Sequence, residues 1–387
     1  MTVPGRDTDL QHLGEDRAGA PGAIAPPVYR SSLFSFPDSK SLGEVLRGEK
    51  DGYVYTRVAN PTIDVLEKKV AALEETAEAI AFSSGMAAVS AVLFSFLRAG
   101  DHLVLSASAY GPTLSMARDM IEPLGVEVSL VDPSELVALE DHLRENTRLV
   151  YLESPASLTF ELTDLGAVAE VARAHSIPTV VDNSWATPIY QKPARFGIDL
   201  SLHSGTKYLS GHSDLLLGMV AGSGELIERV RKTAVLLGGC VSPDDAFLAV
   251  RGLRTLSLRM QRHQDNGLFL SHKLMDHPRV VEVLHPANPF FPGHGIYRSH
   301  FSGASGLFSF LLDGEPERFC DALELFLLGV SWGGFESLAL PSSILPEVAR
   351  GKGVRLDLPR NLVRLSVGLE DPEDLWEDLQ RGFAALD

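Results

Sequence analysis

From about Ala77 the chain alternates short apolar runs with longer segments whose apolar positions recur at helical spacing. Ala79 to Phe82 leads into Met86 to Leu97, His102 to Leu105 into Leu114 to Ile121, and Val126 to Val131 into Glu135 to Leu143. Leu149 to Leu152 leads into Leu165 to His175, and Thr179 to Val181 follows. Apolar runs this short, bounded by turn residues, are strands buried on both faces. Helices between them imply crossover connections, so the pattern predicts an α/β fold with a mainly parallel central sheet flanked by helices. Ile198 to Leu202 and Leu215 to Ala221 predict two more strands, and Glu225 to Leu237 a further helix.

The flanking stretches read differently. Residues 1–60 are rich in Gly, Pro, Ser and charge with no sustained period, which predicts an extended N-terminal arm able to contact a neighbouring subunit. Residues 61–243 then form the large α/β domain, and residues 244–387 a helical connector and a smaller C-terminal α+β domain. In the latter, Val280 to Leu284, Leu307 to Leu311 and Leu362 to Val367 are the expected strands, and Glu315 to Leu327 and Asp371 to Ala385 the expected helices. Arg251, Arg254, Arg259 and Arg262 recur at near-helical spacing in the connector and read mostly as a solvated or subunit-facing stripe.

Composition narrows the partners. With 51 Asp plus Glu against 34 Lys plus Arg, the net charge of −17 disfavours nucleic acid and anionic membranes and leaves small molecules or basic partners. Two distant cysteines, Cys240 and Cys320, offer neither a disulfide framework nor a CxxC metal knuckle. No secretory signal and no membrane-length apolar stretch is seen, so the expected location is cytoplasmic.

Ligands of open parallel sheets bind beyond the carboxyl ends of the strands, which directs attention to the residues after each apolar run. Ser204-Gly205-Thr206-Lys207-Tyr208 sets a lysine among small hydroxyl residues, downstream of Asp182 at the end of Thr179 to Val181. Such a lysine can carry pyridoxal phosphate as a Schiff base, and such an aspartate can keep its ring nitrogen protonated. Ser84-Gly85-Met86 opens a helix and can offer free N–H groups to a phosphate, or can be an ordinary strand-to-helix turn. Tyr110 can stack on a bound ring or pack at a domain seam. Rival motifs fail: Gly222-Ser223-Gly224 lacks the third glycine of a dinucleotide fingerprint, and Gly205-Thr206-Lys207 is not a P-loop. No HExxH is present, Ser83-Ser84-Gly85-Met86 is not a Gly-x-Ser-x-Gly elbow, and no metal is expected.

The stretch Val181-Asp182-Asn183-Ser184-Trp185-Ala186-Thr187 through Ser204-Gly205-Thr206-Lys207-Tyr208-Leu209-Ser210-Gly211-His212-Ser213-Asp214 resembles the pyridoxal-phosphate enzymes of cysteine and methionine metabolism. Tyr55-Thr56-Arg57, Asn60-Pro61-Thr62 and Leu365-Ser366-Val367-Gly368 extend the resemblance over nearly all the chain beyond the first thirty or so residues. Asn183-Ser184-Trp185-Ala186, Leu152-Glu153-Ser154-Pro155 and Ser331-Trp332-Gly333-Gly334 make it most similar to the bacterial cystathionine β-lyases. Methionine γ-lyases typically carry a cysteine where this chain has Pro112.

The resemblance implies a fold of the type I pyridoxal-phosphate transferases and a homotetramer built from two dimers. It makes Lys207 the Schiff-base lysine and catalytic base, Asp182 the partner of the pyridine nitrogen, and Tyr110 the stacking and catalytic aromatic. Gly85, Met86, Ser204 and Thr206 would surround the phosphate, with Tyr55 and Arg57 reaching it from the adjacent subunit. Arg364, helped by Ser337, would bind the substrate α-carboxylate. The implied reaction is cleavage of cystathionine, an amino-acid thioether, to homocysteine, pyruvate and ammonia in trans-sulfuration and methionine biosynthesis. The rivals are a cystathionine γ-synthase or γ-lyase, a cysteine desulfhydrase, and a regulatory protein that only binds the cofactor.

Overall fold

The computed structural model describes residues 5–15, 22–346 and 358–387. The main sheet contains β1 (Glu78–Phe82), β2 (His102–Ser106), β3 (Glu127–Val131), β4 (Thr147–Glu153), β5 (Thr179–Asp182), β6 (Leu200–Ser204) and β7 (Gly218–Gly222). Their order is β1-β7-β6-β5-β4-β2-β3. β6, β5, β4, β2 and β3 run parallel to one another, and β7 lies antiparallel between β6 and β1. The mainly parallel sheet expected from the apolar runs is therefore present. Its residues are buried on both faces: Leu103, Leu105, Val180 and Leu202 pack with the helices Gly85–Phe96 and Gly224–Leu237, while Val104, Val150 and Val181 pack with Leu165–Ala174.

Helix starts are fixed by side-chain caps that satisfy otherwise orphaned N–H groups. Ser84 accepts from Ala87 N at 3.1 Å, Asp164 from Ala167 N at 3.1 Å, and Asn60 from Thr62 N at 2.9 Å. The last of these opens the helix Pro61–Glu74, which lies against β1 and was not anticipated from the sequence. The helix Gly224–Leu237 ends on Gly238 at φ 78°, a left-handed position that glycine adopts without strain.

The second sheet holds β8 (Val280–Leu284), β9 (Leu307–Leu312), β10 (Leu327–Leu328), β11 (Leu338–Pro341) and β12 (Leu362–Ser366), in the order β10-β11-β12-β9-β8. Phe308, Phe310, Val363 and Leu365 on one of its faces pack against Leu375, Leu379 and Phe383 of the helix Pro372–Ala384 and Leu270 and Leu274 of Leu256–Met275.

Several expected elements are corrected. The helix expected over Glu315 to Leu327 stops at Asp321, because the buried Asp378 carboxylate takes the N–H groups of Glu324, Leu325 and Phe326 at 2.8, 2.8 and 3.0 Å and turns the chain into β10. The helix expected over Leu114 to Ile121 is α-helical only across Gly111–Met116 and widens to a π turn over Ala117–Ile121. Arg259 leaves the expected solvated stripe: it is buried and donates to the carbonyls of Tyr208 and Gly252 at 2.7 and 2.8 Å. The arm contains two short helices, Arg6–His12 and Ser39–Leu46, and its residues 1–4 and 16–21 lie outside those described.

Candidate active site

β2 has β3 on one side and β4 on the other, so the crossover direction reverses there and the loops leaving the strand ends diverge into a crevice. A cavity of about 220 Å³ opens at these ends, capped by the second sheet. The pleat decides what enters it. Asp182 and Glu153, cross-strand neighbours at the ends of β5 and β4, point to the cavity with Leu202 and Ser204 of β6, while Asn183 and His203 point to the opposite face.

Lys207 follows Ser204 in a tight turn, its N–H bonded to the Ser204 carbonyl at 3.1 Å, and its amine donates to Ser331 Oγ at 2.7 Å. The amine also lies 5.3 Å from the centre of the Trp332 ring. Burial, reinforced by the Arg364 charge and opposed by Asp182, pulls the lysine down to about 8. At neutral pH a larger share of this amine is therefore unprotonated and nucleophilic than in a solvated lysine.

Asp182 Oδ1 accepts the Ser184 N–H at 2.9 Å, and Ser184 Oγ accepts the Ser204 N–H at 2.6 Å. Among the described residues no basic side chain hydrogen-bonds the Asp182 carboxylate. Burial raises Asp182, and burial together with the neighbouring Asp182 charge raises Glu153 well above the carboxylate range. Two carboxyls this close in a dry site hold a proton between them. Glu153 receives only the Tyr110 N–H, at 2.7 Å, whereas Asp182 has the Ser184 bonds and the Lys207 charge in favour of its carboxylate form.

Arg364, on β12, is buried with no carboxylate partner among the described residues. Its Nη2 donates to the carbonyls of Val330 and Ser331, both at 3.0 Å, and its Nε is buried without a partner. Burial lowers it to about 10. A guanidinium placed so is short of an anion, and a planar carboxylate is the group its fork matches.

The opening of the helix Gly85–Phe96 lies against β6. A Cβ on Gly85 would stand 3.1 Å from Ser204 Oγ, so the bare glycine keeps the Ser204 hydroxyl at the helix start, where the dipole and free N–H groups favour an anion. Thr206 lines the same cavity, its hydroxyl accepting from Leu217 N at 2.9 Å. These features fit pyridoxal phosphate: an anion cradle, a carboxylate free of basic partners, an amine between them, and an arginine awaiting a carboxylate.

The structure thus brings together Lys207, Asp182, Tyr110, Gly85, Met86, Ser204, Thr206 and Arg364. It leaves three predicted residues elsewhere. Tyr55 is exposed, and Arg57 donates to the Val235 carbonyl at 2.8 Å, outside the cavity of its own chain. Ser337 is fully buried, its hydroxyl donating to Glu370 at 2.9 Å and accepting from Gly368 N at 2.8 Å, and it does not line the cavity. Glu153, Ser184, Ser331 and Trp332 are cavity or contact residues that sequence reasoning did not assign. Glu153 carried a signal, a lone acid ending an apolar strand run; Ser331 meets Lys207 only through the tertiary fold. An adjoining lobe of about 340 Å³ shares Tyr110, Lys207 and Arg364 and is otherwise walled mainly by apolar side chains, Pro112, Leu114, Leu340 and Leu358 among them.

The model of the Cys/Met metabolism PLP-dependent enzymes matches residues 7–384. The chain is 42% identical to a provisionally named cystathionine β-lyase of Rhizobium johnstonii, over 98% of this chain and 96% of that one. It is 39% identical to an L-methionine γ-lyase of Pseudomonas putida, over 99% and 98%. Among solved structures, a cystathionine γ-lyase of Lactobacillus plantarum complexed with L-serine superposes with a TM-score of 0.92 at 32% identity, covering 99% of each chain.

Proposed function

This chain belongs to the Cys/Met metabolism PLP-dependent enzymes, whose cofactor is pyridoxal 5'-phosphate, and on that premise we propose that it is a carbon–sulfur β-lyase that cleaves cystathionine to homocysteine, pyruvate and ammonia. One observation carries the reading: a depressed lysine amine, a carboxylate without basic partners and a buried arginine short of an anion converge on one cavity.

Lys207 would tether the cofactor and Asp182 would pair with its ring nitrogen; Gly85, Met86, Ser204 and Thr206 would hold the phosphate, and Tyr110 would stack on the ring. When bound, the cofactor supplies a sink for the electron pair left at the substrate Cα. The side chains do the rest. Arg364 fixes the α-carboxylate in a bidentate pair, which aims the Cα–H bond at the Lys207 amine. Lys207 Nζ takes that proton, and the Cβ–S bond breaks as the electron pair moves into the Cα–Cβ bond. The sulfur leaves as a thiolate and is protonated to homocysteine. The remaining aminoacrylate takes up water to give pyruvate and ammonia.

A γ-elimination needs a further proton removed at Cβ. Pro112, at the position of the γ-lyase cysteine, supports the β reading; it lines the adjoining lobe. The same premise makes the site a shared one. Tyr55 and Arg57 sit in an arm whose exposed Tyr29, Leu33 and Val58 need covering, which supports a dimer, and two such dimers a tetramer, in a reducing, cytoplasmic setting. Keto-acid analysis after incubation with cystathionine tests the reaction. Pyruvate in equal amount to homocysteine is expected. 2-Oxobutyrate with cysteine would make the protein a γ-lyase, and no turnover of any thioether amino acid would leave a cofactor-binding protein.

A further inference from the structure

Behind the main sheet, on the face opposite the cavity, lies a buried polar group that the reaction does not use directly. Glu74, the last residue of the helix Pro61–Glu74, is wholly buried, as are His203 and Asn183. His203 Nε2 contacts Glu74 Oε1, and Asn183 Nδ2 donates to the same oxygen at 3.2 Å and to the Gln191 carbonyl at 3.1 Å. Ser201 Oγ lies 3.3 Å from His203 Nε2. Glu74 Oε2 and His203 Nδ1 are buried with no protein partner.

A fully buried carboxylate is costly unless a positive charge or donors face it. His203 is the ionisable group that meets Glu74 here; Lys192, which reaches this end of the helix, is bound to the Leu73 carbonyl and to Glu75 at 2.8 Å each. The pair is placed with purpose. Asn183 follows Asp182 directly and His203 precedes Ser204, so both residues anchor, from behind, the strand ends that carry the candidate cofactor contacts.

We propose that Glu74 and His203 are positioning residues: the buried carboxylate holds the His203 imidazole and the Asn183 amide together, and so fixes the ends of β5 and β6 with Asp182 in place for a protonated ring nitrogen. This rests on the assignment of Asp182 given above. The pair touches neither cofactor nor substrate.

The test compares two ligands on full-length protein freed of cofactor and reconstituted: pyridoxal phosphate, and its analogue with carbon in place of the ring nitrogen. Only the first can use the Asp182 charge. Glu74→Gln preserves shape and is expected to cut the preference for pyridoxal phosphate over the analogue about tenfold, with affinity for the analogue unchanged. His203→Gln is expected to do the same and serves where Glu74→Gln does not fold. Equal loss of affinity for both ligands would show a merely structural role and overturn the proposal, as would no change for either. Asp182→Asn separates the failures. If it abolishes the preference while the Glu74 and His203 variants keep it, the pair alone is refuted; if it leaves the preference intact, the Asp182 assignment falls and the pair with it.

Discussion

Lys207 is costly to bury as an ammonium, and that cost is what makes it useful. Its value of about 8 in the fold against 10.5 in a solvated chain means that the unfolded state binds more protons between those pH values. Stability of the cofactor-free protein therefore rises with pH across that window, and below about 8 the full penalty is present. A fall of 2.5, from 10.5 to about 8, corresponds to at most about 3 kcal/mol. Lys207→Met keeps the stem and removes the charge. Denaturant unfolding of the cofactor-free variant at pH 7 should show it up to about 3 kcal/mol more stable than wild type, with the gap closing above pH 10.5. A variant less stable at pH 7 and indifferent to pH would contradict the depressed amine. The lysine and the aspartate were legible in sequence because each ends or follows an apolar run. The Glu153 carboxyl and the Ser331 hydroxyl became visible only when strands and loops distant in sequence were brought side by side.

At the scale of elements, the cradle depends on how closely β7 approaches the start of the helix Gly85–Phe96. A Cβ on Gly218 would fall 2.2 Å from the Ser84 carbonyl oxygen and 2.8 Å from its carbon, and backbone cannot give way as a flexible side chain can. Gly218→Ala must push the helix start away from Ser204, so affinity for pyridoxal phosphate should fall at least tenfold by fluorescence titration. Cofactor affinity equal to wild type would show that the phosphate does not sit there. The strands of the main sheet were readable because burial on both faces leaves unbroken apolar runs. β10 and β11 were not: one spans two residues and the other ends in Pro341, so neither leaves a period to read. The buried Arg259 was misread because spacing places arginines on a helix without saying which of them faces inward.

Across the whole molecule, the predicted arm and the predicted site do not meet within one chain: Arg57 is bonded to Val235, away from the cavity. If Arg57 serves a neighbour, two inactive variants should repair each other. Arg57→Ala and Lys207→Ala subunits, unfolded together and reassembled, would form hybrid dimers in which one site has its own Lys207 and the partner's arginine. Random pairing predicts recovery of roughly a quarter of wild-type activity. Mixtures no more active than the separate variants would place the phosphate contacts within a single chain. No helix among the described residues is long and apolar enough to cross a membrane, and the two cysteines are free. The account as a whole stands on Lys207 as the residue that carries the cofactor. Borohydride reduction of the purified protein, digestion and mass spectrometry of the lysine-containing peptides test this most directly. A pyridoxyl mark on Lys207 alone is predicted; the mark on another lysine, or on none, would contradict it.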